Sequence, residues 1–219
     1  MSRRFELLIF DWDGTLADSA ATIVSSMQQA IAALELPRRS DAQIRELIGL
    51  GLVDVMERLY PGIDAQHLIG LLEAYRKRFV GHASGEAPLF AGALDTLRQL
   101  DVMGFRIAIA TGKSRAGLRR ALAHHGELAR LVSSSRCADE TASKPHPKML
   151  HELLEEEQLG PEQALMIGDT EYDIAMARSA GLLGLGVACG VHAPSRIRAA
   201  GAAGVIDGVR DLPAWLAGS

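Results

Sequence analysis

Leu7-Leu8-Ile9-Phe10-Asp11-Trp12-Asp13-Gly14-Thr15-Leu16 is the stretch from which the fold can be read. Four apolar residues read as a short buried strand, and a carboxylate stands where it stops. In an extended chain successive side chains point to opposite faces, so Asp11 and Asp13 share a side with Trp12 between them. Gly14 then permits a sharp turn or a close approach to a ligand. Two carboxylates crowded at a strand end repel each other, which implies a cation or a shared proton. Asp-x-Asp-Gly alone is also an ordinary turn. The calcium helix-loop-helix pattern fails, because Thr15, Ala17 and Ser19 follow and the twelfth position is Thr22 rather than Glu.

From about Ala17 to His82 the periodicity is helical. Ile23, Met27, Ala30, Ile31 and Leu34 fall three and four apart, and Leu36-Pro37 closes that segment. Asp41 reads as the N-cap of a helix through Ile44, Leu47 and Ile48, broken by Gly49-Leu50-Gly51. Val53–Tyr60 and Ala65–Val80 supply two more helices. After a linker at His82–Pro88 the pattern alternates. Strands are expected at Phe105–Ala110, Leu131–Ser134, Ala164–Ile167, Leu183–Ala188 and Gly204–Ile206, with helices at Gly92–Val102, after Ser114, at Pro147–Gln158, after Thr170 and at Leu212–Leu216. Apolar strands alternating with helices mean an α/β fold, a parallel sheet covered on both faces. The expected division is a core of 1–16 and 83–219 with a helical insertion at 17–82.

The composition narrows the function. At 219 residues the chain suffices for one core plus a small inserted domain. A net charge of −4 leaves no basic stripe for nucleic acid. Cys137 and Cys189 have no metal-ligand spacing, which fits a reducing compartment. The apolar run after Arg3-Arg4 is too short for a secretory signal, and no stretch is long enough to span a membrane. A cytoplasmic protein is expected.

In a doubly wound sheet, ligands bind beyond the carboxyl ends of the strands. Asp11, Asp13, Thr111 and Asp169 each follow an apolar strand, so they are expected at one edge. Thr111, Gly112 and Lys113 precede a helix and offer a hydroxyl and backbone N–H groups to an anion. Gly112-Lys113-Ser114 is no P-loop tail, since Ile107 stands where that loop needs Gly. Lys144, before Pro145, would offset the carboxylates and hold a phosphate oxygen if it points inward. His146 is given no role. Asp169 and Asp11 can supply oxygens to Mg²⁺, with Asp173 behind them orienting a bound water.

Asp-x-Asp-Gly-Thr-Leu, a strand-end Thr, a Lys before Pro and Gly-Asp-Thr-x-x-Asp, in that order, resemble the haloacid dehalogenase superfamily over the whole chain. Within it the chain looks most like phosphoglycolate-phosphatase-like hydrolases. The resemblance implies a Rossmann-like doubly wound core and a helical cap. It also implies phosphoryl transfer from a small phosphorylated metabolite, phosphoglycolate-like or a sugar phosphate. Asp11 would be the nucleophile and Asp13 the acid and base, Asp13 also lending its backbone carbonyl to Mg²⁺. Thr111, Gly112 and Lys144 would hold phosphate, and Asp169 would complete the metal site with Asp173 outside it.

Dehalogenases of the superfamily need neither Asp13 nor Mg²⁺. Phosphohexose mutases keep every residue named and are the nearest rival. A receiver domain is shorter and uncapped, and a non-catalytic metabolite-binding protein is the remaining alternative. Substrate choice is expected in the cap, from Arg45 and the Gly49–Gly51 loop, with Trp12 either restricting the pocket or packing under the cap. Arg76-Lys77-Arg78 reads as surface. Hinges are expected at Leu16–Asp18 and His82–Ala87. Oligomeric state is not legible.

Overall fold

The structure, a computed structural model, describes residues 4–80 and 86–218. Its centre is a six-stranded parallel sheet. The strands are β1 (Leu7–Phe10), β2 (Arg106–Thr111), β3 (Val132–Cys137), β4 (Ala164–Gly168), β5 (Leu183–Val187) and β6 (Gly204–Ile206), in the spatial order β3-β2-β1-β4-β5-β6. The chain winds outward from β1 through β2 to β3, then crosses to the other side of β1 for β4. The switch point therefore lies between β1 and β4, where a doubly wound sheet opens a crevice beyond its strand ends. Register aligns Phe10 with Ile109 on one side and Ile167 on the other, so the next residues of all three strands reach the same edge.

Helices α1 (Ala20–Ala33), α2 (Asp41–Arg45), α3 (Leu52–Leu59) and α4 (Ala65–Val80) follow β1 and share their own apolar cluster, including Met27, Ile31, Ile44, Met56 and Leu71. The core helices are α5 (Ala93–Val102), α6 (Arg115–His124), α7 (Gly126–Leu131), α8 (Lys148–Glu157), α9 (Glu171–Ser179), α10 (Pro194–Ala199) and α11 (Leu212–Ala217). Strand alternation separates two layers. Leu8, Phe10, Ile107, Ile109, Leu165 and Ile167 pack with α5, α6, α7 and α11, whereas Leu7, Ile9, Ala108, Ala110 and Met166 pack with α8 and α9.

The structure departs from the sequence reading in places. Strand β3 starts one residue after Leu131, which ends α7, and continues to Cys137. Its serines and Arg136 carry no apolar period, because β3 is an edge strand. Helix α10 was not expected. Only Ile197 of its six residues is buried, too little to leave a period. Helix α2 stops at Arg45, and its N-cap is Ser40, not Asp41. Ser40 Oγ accepts the Gln43 N–H while Gln43 Oε1 accepts the Ser40 N–H, closing a capping box. The first expected hinge lies among described residues, but the second falls largely on 81–85, outside them.

Candidate active site

Strand β1 delivers Asp11 to the edge, where the Asp11 N–H donates to the Ile167 carbonyl at 2.9 Å. The chain then turns. The N–H groups of Leu16 and Ala17 both donate to the Trp12 carbonyl, and Gly14 sits at φ +85. This turn separates the two carboxylates that an extended chain would place together. The crowding expected between Asp11 and Asp13 falls instead among Asp11, Asp169 and Asp173, whose oxygens lie within 4.8 Å of one another. A side chain on Gly14 would enter this cluster, its Cβ lying 2.3 Å from Asp169 Oδ2.

The three buried carboxylates are held differently. Asp169 accepts from Thr15 Oγ1 and the Val191 N–H, both at 2.9 Å. Asp173 Oδ2 accepts from the Thr170 hydroxyl at 2.6 Å and its N–H at 3.1 Å, as the first turn of α9 caps itself. Asp11 accepts no hydrogen bond of good geometry from any described residue. Its ion-pair partner is Lys144, whose Nζ stands 2.7 Å from Asp11 Oδ1 and 2.7 Å from Asp173 Oδ1.

Burial pushes the Asp11 carboxyl well above the usual carboxylate range; Lys144 opposes this, while Asp173 and Asp169 add to it. Burial and then Asp173 push Asp169 up to about 7, against its hydrogen bonds from Val191 and Thr15. Burial alone would lower Lys144, yet Asp11 and Asp173 outweigh it and hold the ammonium above its ordinary range. Three carboxylates thus share one ammonium, and Asp11 Oδ2 has no donor. That hard-oxygen set with surplus negative charge fits a divalent cation such as Mg²⁺.

Asp13 faces elsewhere. Its Oδ1 accepts from Ser19 Oγ at 2.6 Å and pairs with Lys113 Nζ at 3.0 Å. It lines a cavity of about 700 Å³ between α1–α4 and the core, together with Gly49, Gly51, Gly112, Lys113 and Ser143. Thr111, the last residue of β2, is buried, and its hydroxyl accepts the Lys113 N–H at 3.2 Å, leaving its own proton for an acceptor. Gly112 meets the Gly49–Gly51 loop directly: an added Cβ would lie 2.4 Å from the Leu50 carbonyl and 2.6 Å from that of Gly49. The Gly51 N–H donates to Ser143 Oγ at 2.8 Å.

Two residues expected to read the substrate lie off that wall. Ile44 turns inward on α2, so Arg45, one position along the helix, is exposed and does not line the cavity. Trp12 is buried in the apolar layer of the sheet, its ring centroid 6.2 Å from that of His125.

A second polar contact joins the helical insertion to the core at Glu46. Its carbonyl accepts from the Tyr172 hydroxyl at 3.2 Å and from His192 Nε2 at 3.1 Å. The His192 Nδ1 accepts the Glu171 N–H, so the ring proton belongs on Nε2. The Glu46 carboxylate lies 2.5 Å from Arg196, which also grips Glu171 at 2.6 and 2.7 Å. Arg196 hydrogen bonds hold both carboxyls below their usual range.

A family model described as haloacid dehalogenase-like hydrolase matches residues 8–187, from β1 through β5. The chain belongs to that family. It is 32% identical over 207 residues to the probable phosphatase IndB of Dickeya dadantii, covering 92% of this chain and 89% of that one. It is 33% identical over 204 residues to a phosphoglycolate phosphatase of Vibrio cholerae, covering 87% of each. The crystal structure of a putative haloacid dehalogenase-like hydrolase from Bacteroides fragilis superposes with a TM-score of 0.88 at 27% identity, over 95% of this chain and all of that one. The resemblance drawn from four short motifs therefore holds, as does the α/β core with a helical insertion.

Sequence reasoning on this hydrolase overlooked several groups at the site. Lys113 was read for its backbone N–H in the turn after Thr111 and in a failed P-loop, not for the ammonium that pairs with Asp13. Thr15 and Ser19 were set aside as wrong for a calcium loop, yet each hydroxyl donates to a site carboxylate. The Val191 N–H has no side-chain signal at all.

Proposed function

We propose that the chain is a Mg²⁺-dependent phosphatase that hydrolyses a small phosphomonoester through an aspartyl-phosphate at Asp11. The observation that carries this is the donor-free Asp11 Oδ2, set among two further carboxylates and beside the Lys144 ammonium. A carboxylate attacks an anionic phosphate only where positive charge offsets the repulsion. Asp11, Asp169 and the Asp13 backbone carbonyl would hold Mg²⁺, with Asp173 orienting a bound water; the ion supplies Lewis-acid withdrawal of charge from the phosphoryl oxygens.

Thr111, Gly112 and Lys144 orient the phosphoryl group so that an Asp11 oxygen forms a bond to phosphorus in line with the departing ester oxygen. Asp13, on the cavity wall, protonates that oxygen as its bond to phosphorus breaks. It then takes a proton from water, which attacks phosphorus and frees Asp11 as the carboxylate. The loop at Gly49–Gly51 lies against Gly112 and so excludes bulk water from this step. Residues 17–82 act as the cap on a core of 1–16 and 83–219, swinging at Leu16–Asp18. Two free thiols support a cytoplasmic setting, and no described helix is long and apolar enough to cross a membrane.

A panel of phosphomonoesters assayed with Mg²⁺ and with chelator tests the reading. Release of inorganic phosphate that depends on Mg²⁺ supports it; isomerised sugar phosphate without phosphate release would make the protein a mutase, and no reaction would refute both. A thermal measurement tests the metal separately. Asp169 has an ordinary carboxyl value of 3.8 when unfolded and about 7 when folded. Its ionisation therefore disfavours the metal-free fold progressively from about pH 4 to 7, by on the order of a few kcal/mol. Mg²⁺ is expected to raise Tm more at pH 8 than at pH 5; an equal increment at both would contradict this site.

A further inference from the structure

We infer, building on the phosphatase reading, that the leaving group of the true substrate is an apolar alcohol, alkyl or aryl, rather than a hydroxy acid or a sugar. The cavity that reaches Asp13 has about 700 Å³, within the roughly 300–1,000 Å³ of sites that enclose drug-sized ligands. Glycolate, with its handful of heavy atoms, fills little of it. The helical insertion lines this cavity with Ile23, Met27, Ile44, Ile48, Leu52 and Val55, and α4 adds Tyr75 and Phe79. No side chain among those first six carries a hydrogen-bond donor or acceptor suited to a sugar hydroxyl. Each buried hydroxyl left without a partner costs about tenfold in affinity.

The cations on the core side are already engaged. Lys113 pairs with Asp13 at 3.0 Å and lies 4.9 Å from the Phe79 ring centroid. Arg120 pairs with Glu86 and covers the same ring, its guanidinium carbon 5.6 Å from the centroid. Arg76, the other cation on the wall, is exposed. A carboxylate in the leaving group would have to compete with Asp13 for Lys113. An apolar chain needs no cation and replaces water against the apolar wall. The site is then polar where the phosphoryl group sits and apolar beyond the ester oxygen.

The n-alkyl phosphates test this, because ethyl, butyl and hexyl alcohols share nearly one basicity and differ mainly in buried carbon. With the full chain and Mg²⁺, kcat/KM is expected to rise by up to about fourfold per methylene, by at least tenfold from ethyl to hexyl, and to exceed that for phosphoglycolate. Ile23→Asn and Leu52→Asn, at half-buried positions, each flatten that slope. A flat or falling series among esters that are hydrolysed, or a preference for phosphoglycolate over hexyl phosphate, would overturn the inference. Calorimetric titration of the Mg²⁺-loaded protein with ethyl- and hexylphosphonate reads the cavity without turnover. Tighter hexyl binding with no hydrolysis of any ester would uphold the apolar cavity while refuting the phosphatase, and equal binding would refute the apolar cavity.

Discussion

Lys144→Met is expected to lower kcat/KM on every phosphomonoester by about a thousandfold and to destabilise the metal-free fold by roughly 3–5 kcal/mol. Methionine keeps much of the stem's packing, so the loss is one of charge. The ammonium is fully buried and stands 2.7 Å from both Asp11 and Asp173. Without it, protons are the remaining means of neutralising those carboxylates in the metal-free protein. Asp11, already raised by burial, loses the ammonium that lowers it, so the deficit is smallest in acid and grows as pH climbs through and above the carboxylate range. Steady-state kinetics and urea unfolding at pH 5 and pH 8 give both quantities. Activity within tenfold of the parent would remove Lys144 from the mechanism.

Asp13→Asn separates the two halves of the reaction. An alkyl ester needs a proton on its departing oxygen, and losing the acid is expected to cost about 10²- to 10⁴-fold. Nitrophenyl phosphate needs no such proton, but hydrolysis of the aspartyl-phosphate still needs the base. Rapid mixing with that ester should give a burst of about one nitrophenolate per protein, then slow turnover. Equal losses on both esters, with no burst, would assign proton transfer to another group. Among the described side chains Asp13 bonds with Ser19 and Lys113 alone, so the amide keeps its place on the cavity wall.

Much of the core was legible because its strands are continuous apolar runs and its chemistry falls at their ends. Leu7–Phe10 and Ala164–Gly168 announce themselves, and the doubly wound rule brings Asp11 and Asp169 to one edge. What stayed hidden depends on turns or on backbone. An alternating chain would have put Asp11 beside Asp13, but the turn at Trp12–Ala17 sends them apart and leaves Asp169 and Asp173 as the crowding partners. Arg45 is exposed on α2, whereas its neighbour Ile44 lines the cavity. The Glu46 contact with Tyr172, His192 and Arg196 joins three remote segments, two of them through a carbonyl that every residue carries. No side-chain pattern reports such a contact in advance.

The central claim is covalent: phosphorus becomes bonded to Asp11 during turnover. Mixing the protein with excess substrate and Mg²⁺, quenching in acid and reducing with borohydride converts an aspartyl-phosphate to homoserine, which peptide mass spectrometry locates. The account predicts homoserine at position 11 and nowhere else, with none formed by Asp11→Asn. Undiminished phosphate release by Asp11→Asn, or homoserine at another aspartate, would contradict it.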